Sequence, residues 1–163
     1  MDQTASGFRY YEDFTEGEVI DLGSHHVTAE EIIEFAEEFD PAPFHLSEEG
    51  GRSSMLGRLS ASGWHNCAML MRMMCDSFLL NSAGQGAPGI EEVNWLLPVG
   101  AGETLTGKGH VLARRESGSR PHIGLVQFRF ELLHASGKPA MTIRNWIMFA
   151  KRGNASEPAG DAA

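Results

Sequence analysis

The chain has 163 residues, of which 42% are apolar and 21% are charged. This composition is typical of a single soluble globular domain that can bury a core without disulfides or metals. The 13 basic and 22 acidic residues leave a net charge of −9, which would repel nucleic acid and anionic lipid surfaces. We therefore expect no nucleic-acid partner.

The sequence also indicates a cytoplasmic location. Residues 1–4 lack the basic and apolar regions of a secretory signal, and no uncharged stretch approaches the roughly 18 residues of a membrane helix. Cys67 and Cys75 lie on one predicted helix at a separation of roughly 12 Å, which is beyond the reach of a disulfide. We expect both thiols to be reduced and no contact with a membrane.

A short extended segment at residues 19–22 is followed by the first strong helix signal. Thr28 and Glu31 have the spacing of a capping box, and an apolar stripe with helical periodicity follows them. The helix should end near Asp40, because Pro41 disfavours helical geometry at the preceding residue. The adjacent His25 and His26 would point to opposite faces of a strand, so they do not form a metal site.

The segment 40–45 joins an acid to an imidazole. Asp40 and His45 are separated by Pro41 and Pro43, which stiffen the loop that carries both side chains. An acid and an imidazole held together in this way can transfer protons to and from a bound substrate. We take this segment as the centre of the candidate site.

A second helix is predicted over residues 64–80, where apolar residues occupy nearly every face. Such a pattern is typical of a helix that is buried on all sides. Arg72 and Asp76 are four residues apart and should form an ion pair. This helix is expected to lie at the centre of the domain.

The rest of the chain alternates polar and apolar residues in the manner of strands. Strands are predicted at residues 90–96, 103–113, 126–132 and 140–150, with a hairpin turn at 135–138. An antiparallel sheet wrapped around the apolar helix accounts for this order of elements, which is an α+β fold. Residues 1–152 should form the domain, and residues 153–163 a disordered tail.

Four segments in order carry a resemblance to a known family. They are Asp-Pro-Ala-Pro-Phe-His at 40–45, Ala-Ser-Gly at 61–63, Trp-Leu-Leu-Pro-Val at 95–99 and Gly-Glu-Thr-Leu at 102–105. Together they resemble the MaoC-like dehydratases, which include the (R)-specific enoyl-CoA hydratases and have a hot-dog fold. The resemblance extends from about Tyr11 to Phe149.

The resemblance implies a hydratase or dehydratase that acts on an acyl-CoA thioester, without a metal or cofactor. Asp40 and His45 match the catalytic acid/base pair, and Gly63 matches the glycine whose amide binds the thioester oxygen. Ser62, Phe44 and His65 are candidate substrate-binding residues. Hot-dog proteins of this kind pair, so the resemblance implies a homodimer or a higher homo-oligomer.

Several alternatives stay open at this point. Ser62 could cap the central helix and have no catalytic part, and His65 could be a structural histidine. Phe39 and Ala42 stand where the family pattern has Gly and Asn, and this departure motivates a non-catalytic acyl-CoA-binding subunit as one alternative. A hot-dog thioesterase is the other alternative.

Overall fold

The computed structural model of the protein describes residues 7–153, which contain one five-stranded sheet. Its order is β1-β3-β4-β5-β2, and every neighbouring pair is antiparallel. The strands are β1 (Val19–His26), β2 (Glu92–Trp95), β3 (Thr104–Glu116), β4 (Ile123–Leu133) and β5 (Pro139–Ala150). The helices are α1 (Ala29–Phe39), α2 (Glu48–Arg52) and α3 (Gly63–Ser77). The predicted α+β class is confirmed.

The inner face of β4 forms much of the core. Val126, Phe128, Phe130 and Leu132 are fully buried, as their alternation with polar residues predicts. The rings of Phe128 and Phe130 stack with centroids 5.0 Å apart. Because α3 lies across this face, the sheet curves around a central helix, as the sequence indicates.

The helix α1 forms for the local reasons expected from its sequence. The Thr28 hydroxyl accepts a hydrogen bond from the Glu31 amide at 3.2 Å, and the Glu31 carboxylate accepts one from the Thr28 amide at 3.4 Å. The helix ends at Phe39, and Asp40 follows as its C-cap. The end of α1 therefore delivers Asp40 to the site.

The helix α3 corrects one expectation. It ends at Ser77 and is buried on one side only, whereas the sequence predicts a helix that reaches residue 80 and is buried on nearly every face. Trp64 is 62% exposed and Met71 is 49% exposed. The predicted ion pair between Arg72 and Asp76 is present at 2.8 Å on the outer side. The sheet covers a single side of α3, so its other apolar residues face outward.

Three smaller predictions can be compared with the described residues. Gly137 adopts a positive φ of 85° in the predicted hairpin turn, and its amide bonds to the His134 carbonyl at 2.8 Å. Cys67 and Cys75 are free thiols, and burial raises the pKa of Cys67. Of the predicted tail, residues 154–163 lie outside the described part of the chain. Within residues 7–153, no helix has the length and hydrophobicity needed to cross a membrane.

Candidate active site

Asp40 and His45 lie side by side, as their shared loop suggests. Asp40 follows the last residue of α1, and His45 ends a short 3-10 turn (Pro43–His45) that begins at Pro43. The distance between Asp40 Oδ2 and His45 Nε2 is 3.4 Å. This is longer than an ordinary hydrogen bond, so a water molecule can contact both groups.

The orientation of the His45 imidazole is fixed by a hydrogen bond at the nitrogen that does not face Asp40. His45 Nδ1 lies 2.6 Å from the carbonyl oxygen of Ser60. A carbonyl can only accept, so Nδ1 carries the proton of this bond. Nε2 is consequently left to face Asp40. The imidazole is buried, with 8% of its side chain exposed, whereas the Asp40 side chain is 33% exposed.

Ser62 combines the two roles that the sequence leaves open. Its hydroxyl donates to Asp40 Oδ2 at 2.6 Å and accepts a hydrogen bond from the Trp64 amide at 3.3 Å. The first bond holds the carboxylate, and the second caps the N-terminus of α3. One side chain therefore couples the start of the helix to Asp40.

Gly63 is the first residue of α3, so its amide N–H has no partner within the helix. The indole of Trp95 lies directly over this glycine. A Cβ atom at position 63 would be 2.6 Å from Trp95 Cε2, and Trp95 Nε1 donates to the Gly63 carbonyl at 2.9 Å. The Trp95 side chain therefore leaves no room for a Cβ atom at position 63.

These groups border one cavity of about 550 Å³. Phe44 is in its wall, where the Phe44 ring meets the His45 imidazole edge-on at 4.5 Å. The other lining residues include Asp40, His45, Met55, Leu56, Ser60, Ser62, Gly63, Trp64, Asn66, Trp95, Leu96 and Leu97. Phe39 and Ala42 do not line it; Phe39 is 66% exposed and packs on Phe35.

His65 lies outside the wall of this cavity. Its ring stacks on Phe35 at 4.8 Å, and its Nε2 is 3.5 Å from a Glu31 oxygen that also bonds His25. Burial lowers the pKa of His65, although the Glu31 carboxylate acts in the opposite direction. The imidazole therefore packs α3 against α1.

Asn66 is a cavity residue that sequence reasoning missed. It lies one turn into α3, is 3% exposed, and its Oδ1 has no hydrogen-bond partner among residues 7–153. A polar residue within an otherwise apolar helix could have signalled this position. Trp95 was missed as well, because its contact with Gly63 joins residues that are distant in sequence.

The described residues contain no group of three or more acidic, histidine or cysteine side chains that could hold a metal ion. Asp40 and His45 have the chemistry to transfer protons, and the Gly63 amide has the chemistry to donate a hydrogen bond.

Comparison with solved structures identifies the family. The chain is 36% identical to a MaoC-like dehydratase from Rhodospirillum rubrum, with a TM-score of 0.77 over 88% of this chain and 97% of that one. The chain therefore belongs to the MaoC-like dehydratase family and has the hot-dog fold. Its general activity is that of a hydratase or dehydratase.

More distant structures share the fold. An (R)-hydratase from Pseudomonas aeruginosa is 16% identical, with a TM-score of 0.68 over 94% of this chain and 96% of that one. An (R)-hydratase from A. caviae involved in PHA biosynthesis is 20% identical, with a TM-score of 0.65 over 83% and 97% of the two chains. A scan of protein-family models and a search of curated proteins find no match.

Proposed function

We propose that this protein catalyses the reversible addition of water across the 2,3 double bond of an enoyl-CoA thioester. The observation that carries the proposal is the position of Asp40 and His45, 3.4 Å apart, on the wall of a cavity that also contains Gly63. An acid/base pair beside the Gly63 amide, which has no partner within α3, meets the requirements of this reaction.

The pair can supply both proton transfers. Ionised Asp40 accepts a proton from water while the water oxygen bonds to C3, and the electrons of the double bond move onto the thioester oxygen. His45, with a proton on each ring nitrogen, then donates its Nε2 proton to C2 as the enolate returns to a thioester, which leaves the neutral ring with its remaining proton on Nδ1, against the Ser60 carbonyl. The proton on Asp40 passes back to His45, so the pair begins and ends with one proton. Both transfers occur on the same face of the alkene.

The Gly63 amide is the proposed donor to the thioester oxygen. It lies at the positive end of α3, where negative charge is favoured. A donor of this kind stabilises the charge that develops during the reaction, and its loss typically costs about 10²–10³-fold in kcat. Phe44, Leu56 and Leu97 provide apolar contacts for an acyl chain in the same cavity.

Loss of absorbance from enoyl-CoA substrates of several chain lengths tests the activity directly. We expect Asp40→Asn and His45→Ala to lower kcat by about 10²–10⁴-fold. His26→Ala and Asp76→Asn are matched controls, because His26 is exposed and Asp76 pairs with Arg72 on the outer side of α3. No turnover at any chain length, or equal rates in the site and control variants, would disprove the proposal.

The same samples distinguish the two alternatives. Release of free thiol from acyl-CoA without hydration would identify a thioesterase, and binding of acyl-CoA without turnover would identify a non-catalytic subunit. The second alternative arose from Phe39 and Ala42, but neither residue lines the cavity. Their side chains therefore do not form part of the cavity wall.

We also propose that the protein is a homodimer. The edge strand β2 pairs only with β5 among the described strands, and four apolar residues near the cavity are exposed. They are Trp64, Trp95, Leu96 and Leu97, with exposed fractions of 62%, 47%, 51% and 41%. Light scattering should give the mass of two chains, and Leu96→Asp should shift it toward one. A wild-type monomer at assay concentrations would contradict the proposal.

A further inference from the structure

Glu103 collects three hydrogen-bond donors from distant parts of the chain. Its Oε2 accepts from the Gly100 amide at 2.6 Å and from the Arg58 guanidinium at 3.0 Å. Its Oε1 lies 2.9 Å from His134 Nδ1. None of these residues lines the wall formed by Asp40 and His45. A single carboxylate therefore joins three loops just outside the site.

The carboxylate is itself held in place. The Glu103 carbonyl accepts from the Val27 amide at 2.8 Å, and the Gly102 amide donates to the Val27 carbonyl at 2.7 Å. Burial alone would raise the pKa of Glu103, but the Gly100 amide, His134 and the Arg58 charge outweigh it and lower the pKa. Glu103 is thus a fixed, ionised anchor at the start of β3.

The anchor acts on the segment that supports His45. Residues 58–62 run beside residues 99–100: the Ala61 amide donates to the Val99 carbonyl at 2.8 Å, and Ser60 forms an antiparallel bridge with Gly100. The guanidinium of Arg58 lies so close to Gly100 that a Cβ there would be 2.6 Å from Arg58 Cζ. Glu103 therefore bonds to both paired segments, to residues 58–62 through Arg58 and to residues 99–100 through the Gly100 amide.

Ser60, which pairs with Gly100, also bonds to the catalytic candidate: its carbonyl accepts a hydrogen bond from His45 Nδ1 at 2.6 Å. We infer that Glu103 is a positioning residue: it holds segment 58–62 so that the Ser60 carbonyl keeps His45 in its Nδ1–H tautomer, with Nε2 toward Asp40. The inference rests on the proposed function for its effect on turnover. Its effect on the tautomer does not depend on the reaction.

Removal of the Glu103 carboxylate would affect its three donors differently. Arg58 is 47% exposed and can turn to water, whereas Gly100 and the His134 side chain are buried or nearly so. Since buried donors without a partner are unfavourable, the backbone at Gly100 should move to find one. That movement passes directly to Ser60 through their pairing.

The first test is the tautomer of His45, followed by the ¹⁵N resonances of its imidazole at a pH where the ring is neutral. We expect a protonated Nδ1 in the wild type, and a mixture with the Nε2–H form in Glu103→Gln and Glu103→Ala. The matched control is Glu131→Ala, because Glu131 also pairs with a histidine and an arginine, His110 and Arg129, but bonds to none of the groups that Glu103 holds. The control should keep the wild-type tautomer.

The second test is the kinetics of hydration. A displacement of about 1 Å in a catalytic group can cost about 10²-fold in rate, so kcat should fall about 10- to 100-fold in Glu103→Ala, with KM nearly unchanged. Arg58→Met removes the exposed donor alone and should give a smaller fall. It also provides a folded test if Glu103→Ala does not fold.

A wild-type His45 tautomer in both Glu103→Gln and Arg58→Met would overturn the inference, even if both variants were less stable, because Glu103 would then have a structural role only. The two proposals also fail separately. If the Glu103 variants change the His45 tautomer but the wild-type protein has no hydratase activity, the positioning role stands and the proposed function is disproved.

Discussion

Substitution of Gly63 by alanine tests the packing that surrounds the proposed oxyanion donor. The new Cβ would be 2.6 Å from Trp95 Cε2 and 2.8 Å from Trp95 Nε1, distances at which the ring or the helix must move. The amide N–H itself is kept. Any loss of activity in Gly63→Ala therefore reports the position of the amide and not its removal.

The expected cost combines two penalties and one gain. Overpacking of this kind costs about 1–3 kcal/mol, and loss of the hydrogen bond from Trp95 to the Gly63 carbonyl adds about 0.5–1.5 kcal/mol. The gain of helix propensity from glycine to alanine offsets up to about 1 kcal/mol. With that offset at its full value, a net loss of about 0.5–3.5 kcal/mol corresponds to a fall in Tm of about 1–14 °C for a protein of this size.

The assay pairs thermal unfolding with the rate of enoyl-CoA hydration. We expect kcat to fall by about 10²-fold in Gly63→Ala, because the first turn of α3 shifts by a large part of an ångström. Gly84→Ala is the control, since a Cβ there meets no atom closer than 3.5 Å. Its Tm and kcat should match those of the wild type.

A double-mutant cycle separates the steric effect from others. Trp95→Ala removes the ring that the new methyl group meets, so the double variant Gly63→Ala/Trp95→Ala should be more stable than the sum of the single changes implies, by about 0.5–3 kcal/mol. Additive losses, or a Gly63→Ala variant with wild-type Tm and kcat, would refute the argument. Either result would mean that the half-exposed Trp95 ring yields freely.

Three further changes have defined outcomes. Ser62→Gly should keep most of the helix cap but lose the bond to Asp40, so kcat should fall with a stability cost of a few tenths of a kcal/mol, whereas Ser62→Ala should also lose about 0.5–2 kcal/mol in unfolding experiments. Since burial lowers the pKa of His65 below its ordinary 6.5, the unfolded chain takes up this proton first as the pH falls. The wild-type free energy of unfolding should therefore decrease below about pH 6.5, by at most about 1.4 kcal/mol per pH unit for this group. In His65→Gln, the free energy of unfolding measured by chemical denaturation should depend less on pH. Asn66→Leu replaces an unpartnered buried oxygen by an apolar group of similar size, so its Tm should be unchanged or higher; a lower Tm would show that bound water satisfies the carboxamide.

The parts of the site that the sequence predicts are those determined by neighbouring residues. The cap of α1 depends on Thr28 and Glu31, three positions apart, and their bonds are those expected. Asp40 and His45 are likewise placed by the prolines between them. Local geometry decides these contacts, so the order of residues is sufficient to predict them.

The supporting contacts could not be predicted in the same way. The carbonyl of Ser60 holds His45, but any residue has a carbonyl, so no residue type signals this role. The contact between Gly63 and Trp95 spans 32 positions in the chain and depends on how β2 lies beside α3. Such contacts follow from the tertiary fold, which local periodicity does not specify.

The burial of α3 shows that an apolar composition does not by itself tell which faces of a helix are covered. Apolar residues on nearly every face predict a helix covered on all sides, yet Trp64 and Met71 face outward in the single chain. Trp64 also meets the Trp95 ring edge-on at 5.3 Å, so the exposed side of the helix continues into the indole that packs on Gly63. If a second chain covers this surface, its contacts would bear on Trp95 and hence on the Gly63 amide. The contact between the two chains would then both cover the outward apolar residues of α3 and help to fix the position of the Gly63 amide.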